Sequence, residues 1–456
     1  MAILYENYES DLELLLGSLF HDIGKFAMRS KDEVLRARVN KEYEAFFKED
    51  GYYSSRHQEW GAYFCKEFIK IPEVENIVLR HHNPMTKIDY IVAIADRLSA
   101  GERVKNIDGD NLQLMSVVLS TVSLENRHQK NKKVTVNSCY RPISKLSEYK
   151  RPVGLHDGVD EEYKQLWNCF THDFKRIVPI QHKQHLVKMY YLLEEYLSNI
   201  PSAYFHSVPD VSLWAHAKTT AAIAFALIRQ YENKELDFFE KIYRNLSHES
   251  CGLEEESPFC LVKGDISGIQ NFVYDIDMDN AAKALRGRSF YISYLLKTVA
   301  TRMLIDEKLP LTNLLYEGGG HFYLLMPGYF LHKLEDYRTR LNELMYEAHG
   351  QKLSILLAGE SVSFSDLQKA NFSTKWSNVS KSIIEEKNRK FLSLIKKEKE
   401  AFFGPFDTPD KVCPYCKGPL KHDDSCDFCD SFVELGEKIV KSKVMAESWH
   451  PPEKRR

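Results

Sequence analysis

From Leu12 to Phe26 the apolar residues Leu12, Leu15, Leu16, Leu19, Phe20, Ile23 and Phe26 recur at the spacing of one helical face. A segment patterned this way must bury that face. It also carries His21 and Asp22 side by side at the end of the apolar helix. Imidazole suits transition metals and carboxylate oxygen suits Mn or Mg, so an adjacent pair on a rigid element can grip one ion. Lys25 follows one turn after Asp22, where its charge can meet a phosphate.

On its own a His-Asp pair says little. Here His57, His81, His82 and Asp96 follow, each within or beside another apolar helical stripe. Trp60, Phe64 and Phe68 come after His57, Ile77 and Val78 precede His81, and Ile91, Ile94 and Ala95 precede Asp96. Several His and Asp on helices within about a hundred residues is the donor set of a metal-dependent HD-type phosphohydrolase. There the metal would lower the pKa of a water and neutralise a phosphate. The alternative is that some of these histidines are surface or hydrogen-bonded core residues. The usual HD arrangement has a histidine on an earlier helix, and none precedes Leu16 here. The missing ligand is therefore expected from later in the chain, as in a circularly permuted HD domain.

The 456 residues allow about three domains. A net charge of −3 argues for no class of partner, so any nucleic-acid claim rests on local basic runs. Four of the nine cysteines cluster, and the other five are scattered as free thiols of a reducing cytoplasm would be. No apolar run approaches the length that spans a membrane, and no hydrophobic signal core opens the chain.

Residues 1–105 read as helices throughout, and residues 106–250 as a mainly helical linker domain. The stretch Asp210-Val-Ser-Leu-Trp-Ala-His216-Ala-Lys218-Thr-Thr-Ala-Ala is dominated by small residues near its end and reads as close helix packing, with His216 able to touch a partner or ligand. From 251 to 362 strands and helices alternate. The pattern predicts a strand at 259–263, a turn at 264–270 with Asp265 at the strand's end, a helix at 281–304, and a strand at 311–316. A tight hairpin over Glu317-Gly318-Gly319-Gly320, a strand at 321–326, a helix at 331–348 and a strand at 353–357 follow. This is the β-α-β-β-α-β order of the ferredoxin-like split unit, also used by polymerase palms and nucleotidyl cyclases. Asp265 fills one carboxylate position of such a palm, but no acidic pair follows the glycine hairpin. The hairpin is either a phosphate-approaching backbone or a plain turn, and Arg286-Gly287-Arg288 serves either phosphate or surface charge. Residues 363–456 combine a lysine-rich helical stretch, interleaved with Trp376, Phe391 and Phe402, with Cys413, Cys416, Cys426 and Cys429. Two CxxC knuckles at this spacing predict a closed four-thiolate zinc site, with a redox dithiol as the alternative.

In combination these motifs resemble the large catalytic subunit of type III-A (Csm) CRISPR–Cas effector complexes. The matching stretches, in matching order, are Ser18-Leu-Phe-His-Asp-Ile-Gly-Lys25, Asp210-Val-Ser-Leu-Trp-Ala-His-Ala-Lys-Thr-Thr-Ala-Ala, Gly264-Asp-Ile-Ser-Gly-Ile-Gln, Leu285-Arg-Gly-Arg-Ser-Phe-Tyr, Glu317-Gly-Gly-Gly and the double CxxC. The resemblance implies an α+β chain: an N-terminal all-α permuted HD nuclease, a helical linker, a ferredoxin-like first palm and a helical region with a zinc ribbon. It implies cleavage of single-stranded DNA with Mn, Ni or Mg when target RNA is bound, ATP at the palm, and guide RNA and other Csm subunits as partners. Carried over by position, His21 and Asp22 are metal ligands, with His57, His81, His82 and Asp96 as further candidates. Asp265 and Gly318 to Gly320 belong to the palm. The Gly-Gly-Asp-Asp hairpin that makes cyclic oligoadenylates in the family's second palm does not occur, which implies a split or incomplete gene product. Two other classes fit parts of the pattern: an HD-type nucleotide phosphohydrolase, and a non-catalytic scaffold of an RNA–protein complex.

Overall fold

The computed structural model describes residues 9–49, 51–102, 113–118, 139–180, 183–203, 208–246, 256–274, 281–368, 371–397, 399–403, 411–413, 420 and 426–443. The chain divides into two compact units, 1–256 with 363–371, and 257–362 with 372–456.

The first unit is helical. Its helices are α1 (Glu9–Phe20), α2 (Ile23–Arg29), α3 (Glu33–Glu42), α4 (Glu44–Glu49), α5 (His57–Phe64), α6 (Pro72–Arg80) and α7 (Lys87–Ser99), then α8 (Val159–Phe174), α9 (Lys183–Leu197), α10 (Leu213–Gln230) and α11 (Leu236–Leu246). A two-stranded ribbon, β1 (Met115–Ser116) with β2 (Tyr140–Arg141), lies between α7 and α8 in the chain. The boundary expected near residue 105 does not separate compact bodies, because α8 and α10 pack into the same core as the first helices. Phe20, Phe26 and Phe64 are fully buried against Trp167, Phe170 and Phe174 of α8, with Phe26–Trp167 centroids 5.0 Å apart and Phe64–Phe174 5.1 Å. The small residues of α10, Ala217, Ala221, Ala222 and Ala224, are buried and let α10 lie against α1 and α7. Helices α2 and α5 cross at Gly24 and Gly61. A Cβ on Gly24 would lie 1.7 Å from the carbonyl oxygen of His57.

The second unit is built on a four-stranded antiparallel sheet of β3 (Phe259–Ser267), β4 (Leu314–Gly318), β5 (His321–Pro327) and β6 (Ser354–Val362), in the order β4-β5-β3-β6. Between the strands run α12 (Ile269–Tyr274), α13 (Ala281–Asp306) and α14 (Phe330–His349). The short helix α15 (Phe364–Gln368) returns to the first unit; α16 (Phe372–Lys387), α17 (Leu392–Lys397), α18 (Lys399–Phe403) and α19 (Asp427–Lys441) complete the second. Strand β3 sits between β5 and β6, pairing Cys260 with Met326 and with Ser361. Its two faces are covered differently: Cys260 and Gly359 face Leu331 and Leu334 of α14, while Lys263 bonds Ser380 of α16. A strand buried on both sides reads as a continuous apolar run, which is why Phe259-Cys260-Leu261-Val262 stood out.

Three local expectations are corrected here. Strand β3 runs four residues past Lys263, because alternation continues through buried Ile266, and the turn falls at Gly268 with φ +98°. Asp265 is thus within a paired strand, opposite His321 and Leu356. Of the two arginines read as phosphate contacts or surface charge, Arg286 is exposed but Arg288 is buried and is no surface charge. Arg286 donates to the Gly436 carbonyl (2.9 Å), and buried Arg288 donates to the Phe272 carbonyl (2.7 Å) and reaches Cys429 Sγ (3.7 Å). The aromatic residues of the lysine-rich stretch turn inward: Trp376 stacks on Tyr323 at 3.8 Å, and Phe391 and Phe402 form a small core with Tyr346.

Candidate metal centre

The stripe of α1 ends at Phe20, and His21 and Asp22 occupy a two-residue turn before α2 rather than lying on the helix. The break matters, because neighbours on one continuous helix do not face the same way, whereas across a turn both side chains point into one site. The other donors come from the ends and faces of four helices. His57 opens α5, His81 and His82 follow the last turn of α6, Asp96 lies in α7, and His216 lies in the first turn of α10, whose N-cap Ser212 accepts from the Ala215 amide.

These donors form two groups. His21, Asp22, Asp96 and His216 bring one ligand atom each within 4.8 Å of one another, as do His57, His81 and His82. His216 Nε2 lies 3.0 Å from Asp96 Oδ1, 3.2 Å from His21 Nε2 and 3.3 Å from Asp22 Oδ2. His57 Nε2 lies 3.0 Å from His82 Nε2 and 3.5 Å from Asp22 Oδ1. Asp22 therefore turns one oxygen to each group. Lys25 contacts its Oδ2, where a cation faces the same cleft.

The protons on the imidazoles follow from their outer partners. His21 Nδ1 donates to the Ser18 carbonyl (2.7 Å) and His81 Nδ1 to the Val78 carbonyl (2.6 Å), which leaves each Nε2 lone pair facing the site. At His216 the relay is longer. Thr219 Oγ1 donates to the Ala215 carbonyl (2.9 Å) and accepts from Ser99 Oγ (2.6 Å), so Ser99 accepts from His216 Nδ1 (3.0 Å) and Nε2 again carries the lone pair. Fixing the tautomer of a ligand histidine through its far nitrogen is a recurring feature of metal sites.

Electrostatics treat the imidazoles of the two groups differently. Burial opposes charge on His21, but the carboxylates of Asp22 and Asp96 outweigh it and raise its pKa. Burial likewise opposes charge on Asp22, but Lys25 and His21 hold its carboxyl well below the usual range. His21 and His216 hold Asp96 down in the same way. Burial pushes His57 well down and His81 to about 3, so both stay neutral, as a ligand must be. His81 Nε2 is buried with no hydrogen-bond partner, an orphan that costs free energy unless an ion takes its lone pair. Mixed imidazole and carboxylate donors with such an orphan fit divalent ions of the Mn, Ni or Mg type.

Comparison with known proteins agrees with the fold and the motifs. A family profile described as "HD domain" matches residues 1–101, and one described as "Csm1 subunit domain B" matches residues 258–408. The chain is 30% identical to the Methanocaldococcus jannaschii "CRISPR system single-strand-specific deoxyribonuclease Cas10/Csm1 (subtype III-A)", across 92% of this chain and 57% of that protein. Across nearly its whole length the chain is thus similar to a Cas10/Csm1 protein. The Enterococcus italicus Cas10/Csm1 is 26% identical over 94% of this chain, again covering 57% of the relative, so the chain spans little more than half the length of these relatives. Among solved structures, the Csm1 fold of an apo Csm1–Csm4 cassette covers 87% of this chain and 50% of that chain, with a TM-score of 0.57 and 20% identity. A Csm1–Csm4 subcomplex of the type III-A CRISPR-Csm interference complex covers 94% of this chain and 51% of that chain, with a TM-score of 0.57 and 19% identity.

On this Csm1-type frame, the structure brings together His21, Asp22, Lys25, His57, His81, His82 and Asp96. The donor that the sequence reading took mainly as helix packing, though able to touch a partner or ligand, is His216. Its signal was present: it sits three residues after Leu213 and four before Thr220, on the buried face of a small-residue helix, where a histidine needs polar partners. Asp265 does not join a carboxylate group; its Oδ2 lies 3.3 Å from Lys387 Nζ. Gly318 ends β4, and Gly319 and Gly320 turn the hairpin at φ +59° and +83°. Cys413, Cys426 and Cys429 bring their sulfurs within 4.8 Å of one another, and Cys416 lies outside the described residues. Among the described residues no helix is long and apolar enough to cross a membrane.

Proposed function

We propose that the first unit is a permuted HD-type phosphodiesterase that cuts single-stranded DNA within a type III-A CRISPR effector complex. The observation that carries this reading is Asp22, whose two oxygens face two separate donor groups, with His216 completing one of them from late in the chain. Divalent ions held by these donors would supply Lewis acidity at a phosphodiester and neutralise charge on it. The chain's own residues do the rest. Lys25 sets a cation beside the scissile phosphate, Ser99 and Thr219 hold the proton of His216 away from the site, and the Ser18 and Val78 carbonyls do so for His21 and His81.

A mononucleotide phosphohydrolase is the second reading. Two clefts favour the nuclease. One of ≈ 310 Å³ is lined by Lys25, Arg29, Lys31 and His57, and one of ≈ 430 Å³ reaches His82, so a strand can enter and leave across the donors. For the second unit we read the β4-β5-β3-β6 sheet as a ferredoxin-like first palm, with Asp265 and the left-handed Gly319-Gly320 hairpin after Gly318 as the ATP-contact candidates. We read Cys413, Cys416, Cys426 and Cys429 as a structural zinc site. No cyclic oligoadenylate step is assigned to these residues, since the sequence holds no Gly-Gly-Asp-Asp. Guide RNA, target RNA and other Csm subunits are the expected partners.

The test is cleavage of end-labelled single-stranded DNA with Mn²⁺ by the parent and by His21→Ala/Asp22→Ala. Loss of cleavage in the double variant is expected, and cleavage that survives it removes the site.

A further inference from the structure

We propose that the cleft on the His82 side of the donor cluster is a nucleobase subsite. One unstacked base of the DNA strand lies there against Phe46, Tyr90 and Tyr243 while its phosphodiester meets the metal ligands. The proposal rests on the nuclease reading above and adds what that reading leaves open: where the strand's bases go.

The cleft is continuous with the donors, since His82 lines it and its Nε2 lies 3.0 Å from His57, itself 3.5 Å from Asp22. Its wall is aromatic and held in place. The Tyr243 hydroxyl donates to the His82 carbonyl (2.9 Å). Arg97 stacks 3.5 Å from the Tyr243 ring centroid and donates to the Tyr243 carbonyl (3.0 Å). Tyr90 meets that ring edge-on, with centroids 5.5 Å apart at 79°. Across the cleft Arg80 lies 5.7 Å over the Phe46 ring. A rigid ring costs little entropy to stack upon, and a base on an aromatic side chain gains whatever its sequence.

Charge sorts the two clefts. The His82 cleft carries one cation, Arg80, and one acid, Glu49, so it suits a flat neutral group. The His57 cleft is lined by Lys25 and Lys31, paired with Asp22 and Asp160, and by buried Arg29, with no acid among the described residues of its lining, which suits the backbone of a polyanion. A strand lying over His57 and His82 therefore directs phosphates to one side and a base to the other. Bases within a duplex are stacked and paired and offer no free face, so this subsite favours single strands.

The test uses the full 456-residue chain and reads binding, in EDTA, by fluorescence anisotropy. Two labelled probes are compared: a thymidine decamer and an abasic decamer with the same number of phosphates. The parent is expected to bind the thymidine strand about 5- to 150-fold more tightly, the span of one stacked base. Tyr90→Ala and Phe46→Ala should erase that preference and leave abasic affinity unchanged, while Lys25→Ala weakens both probes alike. Tyr90→Leu, which keeps apolar bulk without a ring, should behave as Tyr90→Ala does and separates stacking from loss of fold. Equal affinity of the parent for both probes overturns the proposal, as does a preference that survives Tyr90→Leu and Phe46→Ala. A chain that prefers the base-bearing strand but cuts nothing with Mn²⁺ supports the subsite and sinks the nuclease reading.

Discussion

Gly24→Ala is the sharpest perturbation of the candidate centre, because it adds one methyl group without removing any donor. The added Cβ would lie 1.7 Å from the His57 carbonyl oxygen and 2.6 Å from the Gly61 amide nitrogen, both backbone atoms that no rotamer change can move. Relief to an ordinary contact requires α2 and α5 to separate by roughly 1.5 Å, three times the tolerance of about 0.5 Å within which a site must be held. Asp22 begins one of these helices and His57 the other, so their 3.5 Å approach opens directly. A misplacement of about 1 Å costs on the order of 100-fold in rate, so DNA cleavage should fall by about that factor or more. Overpacking of this kind costs about 1–3 kcal/mol, so Tm should fall by only about 2–12 °C and the chain stays folded at assay temperature. The assay is Mn²⁺-dependent cleavage of a labelled single strand beside a thermal melt, with Gly154→Ala as the control. A Cβ on Gly154 meets nothing within 4 Å, and that variant should match the parent. Cleavage by Gly24→Ala within about threefold of the parent would refute the claim that the α2–α5 crossing sets the donor geometry.

Ser99→Ala removes the acceptor of His216 Nδ1–H while leaving every proposed ligand in place; metal affinity should fall about 10- to 100-fold, read as a rise in the half-saturating Mn²⁺ concentration. An unchanged Mn²⁺ titration would mean that the tautomer of His216 is fixed by something else. Phe170→Ala empties a fully buried position between Phe64 and Phe174 and should cost about 3–5 kcal/mol, lowering Tm by about 6–20 °C. If α8 belonged to a separately folding linker, that variant would leave Mn²⁺-dependent cleavage untouched at temperatures above its own transition.

Much of the centre was legible because each donor sits beside an apolar stripe of helical period: Leu15 and Leu19 before His21, Ile77 and Val78 before His81, Ile91 and Ile94 before Asp96. Periodicity tells which face of a helix is buried but not what it is buried against. That is why α8 and α10 read as a linker although Phe170 and Ala221 lie in the same core as Phe20. It is also why His216 passed as packing: its partners are 195 and 117 residues away, at His21 and Ser99. The turn at His21-Asp22 was hidden by the stripe, which continues in phase through Ile23 and Phe26 across the break. In the second unit the order of strands and helices could be read, but Asp265 could not be placed. A strand that is apolar on both faces hides where it ends, and Gly268 rather than Gly264 makes the turn.

The separation of His21 from His216 has a consequence during synthesis. At about 5–20 residues per second, the ribosome takes about 10–40 s to add the 195 residues between them. Over that interval the nascent chain holds His21, Asp22 and Asp96 without the fourth donor, His216. The four-donor group is therefore completed only once α10 has been made, after the greater part of the first unit has left the ribosome.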